Sequence, residues 1–77
     1  MKVSVKVIGA IIKPFGKAEF EHECKDGITL YELLKELKYK DPHIEHIMTT
    51  VNGVVKSNDE KVKNKDKITL STIVGGG

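Results

Sequence analysis

Seventy-seven residues make one domain, near the lower size at which a single core sustains a fold without staples. A hydrophobic share of 39% beside 31% charged residues excludes a disordered chain, and 5% aromatics with no tryptophan require an aliphatic core. Thirteen basic against eleven acidic residues leave +2 spread along the chain, which excludes the basic stripe of a nucleic-acid binder.

Val3, Val5 and Val7 alternate with Lys2, Ser4 and Lys6, the period of a half-buried strand that runs on toward Ile12. The apolar stretch over residues 7–12 contains Gly9 and is far too short to span a bilayer. Lys13-Pro14-Phe15-Gly16 supplies turn chemistry, Pro14 presetting φ and Gly16 free to take a positive one. Ala18, Phe20, His22 and Cys24 then alternate with Glu19, Glu21 and Glu23. This predicts a second strand, one face acidic and the other mostly apolar, closing an antiparallel hairpin with the first. The single cysteine cannot form an internal disulfide, which fits a reducing, cytoplasmic location.

Asp26-Gly27 breaks the second strand. Thr29 is the expected N-cap of a helix, with Glu32 completing a capping box. Leu30, Leu33, Leu34 and Leu37 form a stripe on one helix face, and the helix is expected to finish around residues 38–40, because Pro42 disfavours helical geometry at Asp41. Ile47, Thr49 and Val51 alternate as a third strand, Asn52-Gly53 signals a hairpin, and a short fourth strand follows over residues 54–56. The polar, lysine-rich residues 57–67 read as a surface loop with one helical turn around residues 60–62. Residues 67–74 then close the chain as a strand, with Ile68 and Leu70 inward.

One helix with a leucine stripe has one sheet face to cover, which makes a two-layer α+β domain. A right-handed crossover through the helix puts the last strand beside the first, parallel to it, in the sheet centre. That arrangement is the β-grasp, or ubiquitin-like, fold: a mixed sheet of four to five strands with one main helix on one face. The expected division is a β-grasp domain over residues 1–74 and a flexible glycine tail over residues 75–77.

Gly75, Gly76 and Gly77 do not help to hold a fold, since glycine loses more backbone freedom on ordering than any other residue. They offer thinness instead. Three such residues reach about 10 Å when extended and pass through a channel too narrow for a Cβ, carrying an unhindered α-carboxylate. The alternative is a frayed end.

With the opening hairpin, the helix segment ITLYELLKEL (residues 28–37), the VNGVV turn (residues 51–55) followed by DKITL (residues 66–70), and the glycine terminus, the chain resembles the ubiquitin-like sulfur carriers of the ThiS/MoaD type over its full length. The resemblance implies a carrier with no catalytic residue of its own. A ThiF/MoeB-like adenylating enzyme would use ATP and magnesium to adenylate Gly77, and a persulfide from a cysteine desulfurase or rhodanese-type donor would displace AMP, leaving a thiocarboxylate. Gly75 and Gly76 would lie inside the partner, and a recipient synthase subunit would take the sulfur for thiamine thiazole, molybdopterin or a related cofactor. No bound cofactor, metal, nucleic acid or membrane is expected. Where MoaD-type tails often carry prolines, Ser71-Thr72-Ile73-Val74 precedes the glycines, and the hairpin region is longer than the compact ThiS form, so the recipient pathway stays open.

Other readings of the same tail are a protein modifier joined to lysine amines, the small subunit of a synthase, and a plain interaction module. Cys24, on the inward alternation, reads as a buried small hydrophobe rather than a reactive thiol. His43 and His46 form an H-x-x-H pair, but the remaining histidine, His22, lies on a different element, so a zinc site lacks ligands. Phe15, at the tip of the first turn, is expected at the edge of the core, with a place in a partner-docking patch as the alternative. The lysines of residues 57–67 read as a solvated face that could steer an acidic partner.

Overall fold

The computed structural model describes residues 1–9 and 11–72. Its elements are β1 (Lys2–Ile8), a 3-10 turn (Pro14–Gly16), β2 (Glu19–Glu23), α1 (Leu30–Glu36), α2 (Asp41–Ile44), β3 (Ile47–Val51), β4 (Val54–Val55) and β5 (Lys67–Thr72). The strands form one sheet in the order β2-β1-β5-β3-β4, parallel between β1 and β5 and antiparallel elsewhere. This is the expected β-grasp arrangement, with the last strand in the centre beside the first.

Period-two alternation puts Val3, Val5, Val7, Ile68 and Leu70 on the face that α1 covers, all at 4% exposure or less. From the other layer Leu30, Leu33, Leu34 and Leu37 close onto them. The helix starts where expected. Thr29 Oγ1 accepts from the Glu32 N–H at 3.2 Å, while the Thr29 N–H donates to Glu32 Oε1 at 3.1 Å, a reciprocal capping box.

The helix stops earlier than the expected residues 38–40. Lys38 turns left-handed (φ 74), its N–H donates to the Lys35 carbonyl, and the Tyr39 N–H donates to the Leu34 carbonyl. These are the paired bonds of a Schellman cap, with a lysine where glycine is usual. The following segment is no plain loop: Pro42 sits in the first turn of α2, where its missing N–H costs nothing, and Ile44 joins the core.

Further differences are local. β1 ends at Ile8 rather than running toward Ile12, because Gly9 takes φ 88 and bends the chain; a Cβ there would lie 3.3 Å from Thr72 Oγ1. Ile12 is 63% exposed. Ala18 is exposed and precedes β2, instead of facing the core. No helical turn forms at residues 60–62. There the chain is stitched to the entry of α1: the Leu30 N–H donates to the Glu60 carbonyl and the Val62 N–H to the Ile28 carbonyl, both at 2.9 Å, and Val62 is buried. The Asn52-Gly53 turn forms with both φ positive (53 and 85), as a type I′ hairpin requires. β4 is one residue shorter than expected. Ile73 and Val74, assigned to the last strand, lie outside the described residues, as does the expected boundary between domain and tail.

Candidate functional site

The region of interest is the end of the sheet from which β5 leads toward the glycines. Thr72, the last described residue, pairs with Ile47, and Ser71 lies between Ile8 on β1 and Met48 on β3. The face not covered by α1 is uncharged here: Ile8 is 48% and Met48 38% exposed, with Ser71 between them. Farther along the same face the strands carry charge, with Lys2, Ser4 and Lys6 facing Glu23, Glu21 and Glu19 across the β1–β2 pair, and with Lys67 on β5.

On the helix side of the same end, a cleft of about 330 Å³ is lined by Ile11, Ile12, Tyr39, His43, His46, Ile47 and Thr72. The Tyr39 hydroxyl donates to the Ile12 carbonyl and ties the β1–β2 connection to the segment after α1. Burial pushes the Tyr39 phenol above its ordinary value. α2 brings His43 to this cleft, and the turn behind it brings His46. The sequence reading missed the cleft because it treated Pro42 only as a helix stop. Its overlooked signal was the preference of proline for a first helical turn.

Gly75, Gly76 and Gly77, the residues to which the reading assigns the chemistry, lie outside the described residues. His22 is far from the other two histidines in role: its Nε2 is 2.9 Å from Glu36 Oε1, joining β2 to α1. Among the described residues no group of three or more His, Cys, Asp or Glu is placed to hold a metal ion. Cys24 is half-buried rather than buried, just past the end of β2, and packs against the core. Burial first, and then the Glu36 carboxylate, raise its thiol pKa, which keeps it protonated and a weak nucleophile near neutral pH.

Phe15 is 61% exposed and meets Phe20 edge-on at 5.6 Å between ring centres, so it caps the hairpin from outside instead of entering the core. Lys56, Lys61 and Lys63 are exposed around a shallow cleft of about 350 Å³ that also includes Val54, Glu60 and Asp66. Among the described residues no helix is long and apolar enough to cross a membrane.

The family model described as the ThiS family matches residues 5–77. Solved structures share the fold. SAMP1 from Haloferax volcanii superposes with a TM-score of 0.78 at 18% identity, covering 100% of both chains. A Pyrococcus furiosus protein described as molybdopterin converting factor, subunit 1, superposes with a TM-score of 0.77 at 25% identity, covering 95% of this chain and 98% of that one. In Helicobacter pylori, a chain from the complex of subunits 1 and 2 of molybdopterin-converting factor gives 0.66 at 23% identity, covering 100% of both. No curated protein matches the chain.

Proposed function

The chain belongs to the ThiS family, and from that membership we propose that it is a sulfur carrier whose Gly77 carboxylate is the reacting group. A carboxylate is a poor electrophile. In this reading a ThiF/MoeB-like enzyme uses ATP and magnesium to convert it to an acyl adenylate, and a persulfide from a cysteine desulfurase or rhodanese-type protein displaces AMP. Cleavage of the sulfur–sulfur bond by a second thiol then leaves the thiocarboxylate. Gly75 and Gly76 lie in the partner's channel, and a recipient synthase subunit takes the sulfur into a cofactor. The carrier contributes a stable body and a thin terminus, with no catalytic side chain.

The observation that carries this reading is that the family match runs through Gly77, so the three glycines fall inside the matched region. The uncharged surface around Ile8, Ser71 and Met48 supports it, because a partner taking the tail can cover these residues without stripping water from a charge.

The test is the intact mass of the chain after incubation with an activating enzyme, ATP, magnesium and a sulfur donor. The expected gain is the difference between one sulfur and one oxygen atom. Attachment to lysine amines with no thiocarboxylate would replace this reading with that of a protein modifier.

A further inference from the structure

We propose that the cleft beside the end of β5 seats an apolar side chain carried on an acidic segment of the protein that receives the tail. The proposal rests on the tail-transfer reading above and specifies the chemistry of the partner.

The cleft selects an apolar occupant. Ile11, Ile12, Ile47 and the Tyr39 ring make its walls, and the Tyr39 hydroxyl already donates to the Ile12 carbonyl. That same bond holds the Ile12 segment in place although its side chain is 63% exposed, so an apolar surface is kept open to water. Such a surface gains free energy from any apolar group that covers it.

Charge selects the surroundings of that group. Lys13 follows Ile12 in the chain, and Lys38 and Lys40 flank Tyr39; all three are exposed, and none takes part in an ion pair among the described residues. The Schellman bonds at Lys38 and Tyr39 hold this stretch in one conformation. The nearby carboxylates offset these lysines only in part. Asp41 is engaged, accepting from the Tyr31 hydroxyl at 2.7 Å and from Lys35 Nζ at 3.1 Å, and Glu45, next to His46, leaves three exposed lysines against one carboxylate. An acidic segment therefore matches the cleft's surroundings, while a second copy docking through this same face would bring like charge to like. Thr72 is itself part of the cleft wall, so a partner that takes the chain beyond Thr72 has the cleft beside its entrance.

The experiment titrates the full-length, isotope-labelled chain with three acetylated peptides and follows its NMR shifts. The peptides are Asp-Glu-Leu-Asp-Glu, the same with serine for leucine, and Lys-Lys-Leu-Lys-Lys. The leucine-bearing acidic peptide is expected to shift Ile12, Tyr39, His43 and His46, and to bind about tenfold more tightly than either control. Ile12→Glu and Lys13→Glu should each weaken it with no change in the urea midpoint, since both side chains are exposed. Equal binding of the basic peptide, absence of shifts at the cleft, or shifts confined to Ile8 and Met48 would overturn the proposal. So would cleft shifts on dilution without peptide, which indicate a second copy, and contacts from the Val74 methyls to the Tyr39 ring, which indicate the chain's own tail. None of these readouts involves sulfur chemistry. A failure here leaves the mass measurement standing, and a failed mass gain beside intact peptide binding counts against the carrier reading alone.

Discussion

Thr49 lies on the helix-covered face of β3 at 2% exposure, opposite Leu70, and its hydroxyl oxygen has no hydrogen-bond partner among the described residues. A buried hydroxyl left without a partner keeps a desolvation cost of about 1–3 kcal/mol, and valine has nearly the same shape without it. Thr49→Val should therefore raise stability by about 1 kcal/mol, read as a higher urea midpoint at unchanged slope. A lower midpoint would mean that the hydroxyl is engaged. Cys24 is a second residue with a clear expectation. Its thiol is half-buried and held protonated, and the proposed chemistry sits on a carboxylate. Cys24→Ser should leave the sulfur-dependent mass gain intact; losing that gain in a folded variant would bring the thiol into the mechanism.

The elements show where local sequence was sufficient to read the fold. β1, α1 and β3 were legible because each carries its own period and, for α1, its own start signal in Thr29 and Glu32. α2 and the inward turn at Val62 were not. One turn of helix has no period to detect, and Val62 is buried by backbone pairing with Ile28 across a long separation, which no local pattern announces. At the candidate site, the sequence alone draws attention to the glycines, which lie outside the described residues, whereas the cleft needed the bond between Tyr39 and Ile12, residues 27 positions apart in the chain. The start of α1 also carries a pH dependence. The Thr29 N–H, and next the Thr29 hydroxyl, donate to the Glu32 carboxylate and hold its pKa below the ordinary glutamate value. A depressed folded-state value means that this stabilisation is complete above the unfolded value of about 4.3 and is lost as the pH falls through the depressed one. Glutamine keeps an acceptor oxygen but no charge. The stability gap between the native chain and Glu32→Gln, measured by urea unfolding, should therefore be wider at neutral pH than in acid. A gap that is the same at both would show that the carboxylate's charge contributes nothing to the cap.

At the scale of the whole molecule, the core described above is built from residues that precede the glycines, with β5 paired to β1 and β3 over its described length. Deleting Gly76 and Gly77 should abolish the mass gain while leaving the circular dichroism spectrum and urea midpoint unchanged; a deleted chain that still took up sulfur would overturn the assignment of Gly77. The place of β5 in the sheet also orders events in time. Of all the described elements it comes last in the chain, yet it stands between β1 and β3, so the β1–β2 and β3–β4 hairpins have no contact through the sheet until it arrives. A ribosome must therefore release residues 67–72 before the two halves can join, and a message cut short of them yields a chain with no closed sheet. The glycines follow that strand. Under the proposed carrier reading, an enzyme that activated Gly77 would draw only on chains that already carry the strand joining the two halves of the sheet.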